Sequence, residues 1–263
     1  GARLAARWTG TAWRGVLVAG SLLGAVALAA HAYLPEFTAR AVAAPPLAVG
    51  LGAERRELVE ILQAHTTTAG RILWEDRPGP PGSSRWTALL PLLTGRAYLG
   101  GLDPNPGIEH GFVSFCDQLL AGRLLADWSD AQLDDFCRRY NVGWVVCWSP
   151  AAVGRFRAWK RAEAVATLSD GGPGCLFAVR RPLSYALKGE ARLVQADGER
   201  IALSDLVPEG GEIILSLHYQ AGLRATPGRV LVERELDPYD PIAFVRLRVA
   251  GPVPRVSLTW DRR

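Results

Sequence analysis

The sequence lacks most of the signatures on which catalytic or metal chemistry is built. It contains no G-x-S-x-G, no H-E-x-x-H, no phosphate-binding P-loop and no G-x-G-x-x-G, so no motif points to a hydrolase elbow, a zinc protease or a nucleotide cradle. The glycine-rich strings at 78–82 (PGPPG) and 170–174 (DGGPG) are broken by proline. Proline removes the N–H groups a phosphate cradle would use, so these strings read as turns. None of the four cysteines, Cys116, Cys137, Cys147 and Cys175, pairs with another as C-x-x-C, which argues against a structural zinc site. They read as small buried hydrophobes, with one disulfide as the alternative if the domain is extracytoplasmic. No motif implies a metal or a cofactor. Methionine is absent and the first residue is Gly, which reads as a piece of a longer protein.

Charge of one sign is also scarce outside the start of the chain. The 30 basic and 26 acidic side chains give a net charge of +4, and Arg3, Arg7 and Arg14 account for most of it. Without those three the balance is 27 to 26. A body that close to neutral has no electrostatic footprint for a phosphate backbone, so nucleic acid is excluded as a partner.

One long apolar run is present. Residues 15–34 (GVLVAGSLLGAVALAAHAYL) carry no formal charge. Twenty residues at about 1.5 Å rise span roughly 30 Å, the hydrocarbon thickness of a bilayer. Arginines lie on the leading side, and Trp13 and Tyr33 mark the two edges. The expectation is a cytoplasmic flank at 1–14, a transmembrane helix at 15–34 in the cell membrane, and everything after residue 34 extracytoplasmic. A cleaved signal peptide and a buried helix of a soluble protein are the competing readings. Gly20 and Gly24 form G-x-x-x-G, which suits close approach by another transmembrane helix.

The remainder divides by pattern. Residues 35–52, rich in Ala, Pro and Gly, read as a linker. Residues 53–182 mix helix and strand signals. Helices are expected over 54–64, over 108–120 and from Ser129 to Tyr140, the last opened by a capping box with Gln132. Strands are expected at 71–75, 143–148, 162–168 and 175–180; the continuous apolar run GWVVCW suits a sheet covered on both faces. From residue 183 to 263 short period-2 runs alternate with Gly, Pro and Asp. The fold class expected is therefore an α/β mixed domain followed by an antiparallel β-sandwich, preceded by one transmembrane helix.

Candidate binding residues come from aromatics beside carboxylates. Trp74-Glu75-Asp76 ends a strand, and Trp86 follows the Pro-rich loop. Indole faces stack on sugar C–H groups while acids bond hydroxyls, so this is the vocabulary of a saccharide site. Glu75 and Asp76, adjacent on a strand, point to opposite faces and do not form a general acid and base pair. Residues 98–110, holding Asp103, Glu109 and His110, form a loop dense in Gly, Pro and polar groups of the kind that carries function. The other histidines, His31, His65 and His218, read as surface or satisfied residues.

A helix ending in Tyr140 runs into Asn141-Val142-Gly143-Trp144-Val145-Val146, and a later strand carries Leu217-His218-Tyr219-Gln220-Ala221-Gly222. Together with the leading apolar helix, this arrangement resembles the C-terminal part of bacterial polytopic membrane proteins of the GT-C glycosyltransferase-like type, over residues 15–263. Leu223 stands where that family's pattern has Trp. The resemblance implies transfer of sugar from a polyprenyl-phosphate donor on the outer membrane face. It places the catalytic carboxylate in a loop after the first membrane helix, outside these residues, so no catalytic residue is carried over. This part would be an accessory outer domain. A non-enzymatic, membrane-anchored glycan- or protein-binding module is the alternative, and a secreted hydrolase the third.

Overall fold

Six consecutive buried residues, Val142–Cys147, form the central strand of a five-stranded sheet. The computed structural model describes residues 50–77, 85–101, 113–197, 199–251 and 253–260, and every described element lies in one compact unit, Gly52–Arg263. Residues 15–34, with Gly20 and Gly24, fall outside the described residues. Among the described residues no helix is long and apolar enough to cross a membrane. The fold is β-rich, with several sheets and a few helices.

The first half begins with α1 (Ala53–His65), β1 (Arg71–Trp74), a 3-10 turn (Arg85–Leu89) leading into α2 (Leu90–Thr94), and β2 (Ala97–Leu99). A small meander follows: β3 (Phe115–Cys116), β4 (Leu119–Leu120) and β5 (Arg123–Leu124). Then come α3 (Asp130–Arg139), β6 (Val142–Cys147), α4 (Pro150–Ala158), β7 (Ala162–Ser169) and β8 (Pro173–Val179). The sheet order is β2-β1-β6-β8-β7. β2, β1 and β6 run parallel, while β8 and β7 are antiparallel. Successive side chains alternate between faces. Leu73, Val145, Cys147, Cys175 and Phe177 share a core with Leu133, Phe136 and Phe156 of α3 and α4. Their neighbours Ile72, Trp74, Trp144, Val146 and Leu176 are also buried, so the sheet is covered on both faces.

α3 opens with the expected capping box: Gln132 N donates to Ser129 Oγ, and Ser129 N donates to Gln132 Oε1. The helix expected over 108–120 is corrected in its described part, where residues 113–124 form the β3-β4-β5 meander instead. Asp117 and Gln118 take positive φ, as do Ala121 and Gly122, which makes two tight turns where a helix would need φ near −60°. Phe115 and Leu120 oppose one another in the ladder and are both fully buried. Apolar spacing that resembles a helical face is here a pair of cross-strand partners.

The second half contains β9 (Ala186–Lys188), β10 (Glu190–Ala196), β11 (Arg200–Val207), β12 (Glu212–His218), β13 (Leu223–Thr226), β14 (Val230–Asp237), β15 (Asp240–Val249) and β16 (Arg255–Trp260). They make two antiparallel sheets, β10-β11-β16-β13 and β14-β15-β12-β9. Ile201, Leu203, Val256 and Leu258 of one sheet share a core with Ile213, Leu215, Val245 and Leu247 of the other. Phe244 is the exception on β15: it joins the core of the five-stranded sheet, with Leu187 and Ile214 packed nearby.

Two polar side chains knit the halves together. Asn141 sits at positive φ at the end of α3 and is fully buried. Its amide donates to Ala69 O and accepts from Ser184 N and Arg181. Arg71 donates to Tyr140 O, Ser216 Oγ and Ser216 O, reaching from β1 to β12.

Candidate functional site

Three parallel strands end at one edge of the mixed sheet, and ligand sites in sheets with parallel strands gather at such carboxyl ends. β1 delivers Trp74, Glu75, Asp76 and Arg77; β2 delivers Gly100 and Gly101; β6 delivers Trp148 and Ser149, which starts α4.

Glu75 is 2% exposed and fully engaged. It accepts from the backbone N–H groups of Trp148 (2.5 Å) and Ser149 (2.9 Å) and from the Ser149 hydroxyl. Ser149 Oγ in turn accepts from Ala152 N and caps α4. The carboxylate thus serves the positive end of a helix, where unpaired N–H groups favour an anion.

Asp76 faces the other way. Its Oδ1 accepts from Gly101 N (2.9 Å), and its own N–H donates to Phe115 O (2.7 Å). One residue therefore ties the end of β2 to the start of the meander. Gly100 and Gly101 both hold positive φ, and a Cβ on Gly100 would collide with the carbonyl oxygen of Trp74. Asp76 is half-buried, and desolvation pushes its carboxyl up to about 6 despite the Gly101 hydrogen bond. Burial, then the negative charges of Asp117, Asp76 and Glu75, push the Cys116 thiol up as well.

The aromatic residues form a ladder with arginines. Trp74 is 2% exposed and lies edge-on to Trp148 (5.6 Å) and Tyr98 (6.3 Å). Arg77 covers the Trp148 ring at 4.2 Å and pairs with Asp170 at 2.7 Å. Asp170 also pairs with Arg55 (3.2 Å), whose guanidinium lies 4.8 Å over Trp86. The two sides of the Pro-rich segment, Arg77 and Trp86, are thereby linked through Asp170 in the turn between β7 and β8.

Of the residues expected at a saccharide site, Trp74, Glu75, Asp76 and Trp86 are brought to this edge. Trp74 and Glu75 are occupied by packing and helix capping, while Asp76 and Trp86 remain partly open. Asp103, Glu109 and His110 lie outside the described residues. Among the described residues no group of three His, Cys, Asp or Glu side chains is placed to hold a metal ion. All four cysteines are unpaired, and three of them are buried.

A second polar cluster went unread in the sequence. Asp240 Oδ2 accepts from Tyr140 Oη (2.6 Å) and pairs with His218 Nε2 (2.7 Å). The His218 ring stacks on Phe244 at 5.3 Å. No local signal marks this cluster, since its members come from α3's end, β12 and β15.

Comparison with protein families, curated proteins and solved structures finds no match to this chain.

Proposed function

We propose that this chain is the terminal span and extracytoplasmic accessory domain of a membrane glycosyltransferase-like protein. In this reading residues 15–34 cross the bilayer, Gly20 and Gly24 face another membrane helix, and the carboxyl edge of the mixed sheet contacts a glycan or the sugar of a polyprenyl-phosphate donor. The folded part corresponds to an α/β domain followed by a β-sandwich.

The observation that carries the saccharide contact is the division of labour between Glu75 and Asp76. Glu75 is consumed by the N-terminus of α4, which leaves Asp76 as the partly open carboxyl at the end of β1, the same sheet edge that carries the Arg77–Trp148 stack. A partly open carboxyl at an edge with partly exposed indole suits hydroxyl binding. In this reading, as the resemblance implies, transfer chemistry resides in a loop after the first membrane helix, outside these residues.

A non-enzymatic, protein-binding module is the second reading. Leu236 near the end of β14 is 81% exposed and Tyr239 in the turn that follows is 69% exposed, and Tyr239 borders a cavity of about 440 Å³ lined by Trp128, Arg123 and Arg139. Exposed apolar side chains beside a cavity mark interaction surfaces.

The test uses the natural protein in its membrane. A reporter fused after residue 263 must report the non-cytosolic side. A polyprenyl-phosphate hexose must bind, and Asp76→Asn together with Trp86→Ala must weaken it by about tenfold, roughly 1.4 kcal/mol. A cytosolic reporter, or hexose binding that ignores both substitutions, refutes the reading. Trp74→Ala is unsuitable because it opens a cavity under Trp148 and Tyr98.

A further inference from the structure

Arg71 is an unusual cation. It is half-buried, and its hydrogen-bond acceptors among the described residues are neutral: Tyr140 O (2.7 Å), Ser216 Oγ (2.9 Å) and Ser216 O (2.6 Å). Its guanidinium carbon lies 4.9 Å over the Tyr185 ring. Among the described residues no carboxylate lies within ion-pair distance of it. Desolvation holds its pKa below the ordinary arginine value. A desolvated charge without a counter-charge is costly, and guanidinium meets carboxylate or phosphate with particularly strong hydrogen bonds.

Arg71 lines a half-enclosed cleft of about 330 Å³ between the mixed sheet and the two antiparallel sheets. That volume lies in the range of small-molecule sites, roughly 300–1,000 Å³. Trp260 and Tyr98 supply aromatic walls, and Gln220 stands exposed at the rim. Trp260 Nε1 donates to Gln220 Oε1 (2.8 Å), which orients the amide so that its NH₂ points away from that bond. His218 forms another wall, held by Asp240, whose side chain is fully buried. Tyr140 and His218, the two donors on Asp240 Oδ2, both line the cleft.

We propose that this cleft binds a small anionic saccharide, with its acidic group on Arg71, a sugar face on Trp260 and a hydroxyl on the Gln220 amide. The acidic group is a carboxylate or a phosphate ester, which present the same paired oxygens to a guanidinium. This cleft borders the carboxyl-edge contact proposed above at Gly100 but uses none of its binding side chains, and it does not depend on where the chain sits relative to a membrane, so the two proposals fail independently.

The test is calorimetric titration of the full chain in detergent micelles with glucuronate, glucose 1-phosphate and neutral glucose. Saturable binding of glucuronate or glucose 1-phosphate, without glucose binding at the same concentrations, is expected; which of the two binds tells carboxylate from phosphate. Gln220→Ala, which removes the amide from the hydroxyl, and Trp260→Phe, which shrinks the stacking face, should each weaken that binding by roughly threefold to tenfold. Arg71→Lys, which keeps the charge but loses the planar fork, should weaken it further. Melting temperature is followed for each variant, and the rim substitution Gln220→Ala keeps the test valid if the Arg71 variant misfolds. Absence of binding by both anionic sugars, equal binding of glucose, or rim variants that bind as the parent does would each overturn the proposal.

Discussion

Tyr140 and Asp240, one hundred positions apart, are joined by a buried hydrogen bond of 2.6 Å from the phenol to the carboxylate. The bond fastens the end of α3 to the start of β15. The same carboxylate oxygen serves His218, and Asp240 Oδ1 accepts from Ile242 N. These bonds outweigh the cost of burial and hold the Asp240 carboxyl below its ordinary value. Burial, followed by the neighbouring carboxylate, drives the Tyr140 phenol upward.

Asp240→Asn should therefore destabilise the fold by about 2–3 kcal/mol near neutral pH, the cost of weakening a buried charged hydrogen bond. A carboxyl with a depressed folded pKa stabilises above its unfolded value and loses that contribution as pH falls through the folded one. Denaturant melts of parent and variant should converge below about pH 4. A variant as stable as the parent at pH 7 would show the network to be incidental.

Asp76 has the opposite slope. Its carboxyl is raised from 3.8 to about 6, so the folded state holds the proton more tightly than the unfolded chain. Its contribution to stability is fully present in acid and declines as pH rises from about 4 to about 6. Asp76→Asn keeps an acceptor for Gly101 N–H and removes the charge. At pH 8 it should be more stable than the parent by on the order of 1 kcal/mol, after discounting for solvent screening at this half-buried site, with little difference at pH 4. Equal melting temperatures across this range would contradict the assignment.

Phe244 belongs by chain to the antiparallel sheets and by contact to the core of the mixed sheet. Phe244→Ala should cost about 3–5 kcal/mol, the usual range for a buried aromatic. Because the side chain bridges the two cores, unfolding of the variant should separate into two transitions or shift as one to much lower denaturant. A loss below about 1 kcal/mol would mean that the halves are held together by other contacts.

Thiol labelling at pH 8 should follow burial. Cys116 is partly exposed and should react with iodoacetamide before the other three. Cys137, pushed up to about 12 by burial, and Cys147, pushed well up by burial and then by Glu75, should react only as fast as the chain opens. Rapid modification of two or more thiols in the native state would be incompatible with this packing.

Local order was legible because its causes are local. The Ser129–Gln132 capping box, the all-apolar run of β6 and the alternation in β12, β15 and β16 each follow from interactions within a few residues or from a repeated burial pattern. α4 was not expected from the sequence: its weakly amphipathic residues give no strong periodic stripe, and the only local signals were Ser149 at the cap and Pro150 at the first turn. β9 and β13 are too short, at three and four residues, for alternation to announce them.

The sequence alone determined the near-neutral charge of the body, the apolar run at 15–34 and the chemistry available beside β1. Tertiary structure decided which of those groups remain usable. Trp74 and Glu75 look like binding residues in one dimension, yet Trp148, Tyr98 and the N-terminus of α4 occupy them. Arg71, read only as the start of a strand, has no counter-charge among the described residues once β12 and the end of α3 close around it. Burial and partner identity are set by contacts between distant segments, and a single sequence does not encode those distances in any local pattern.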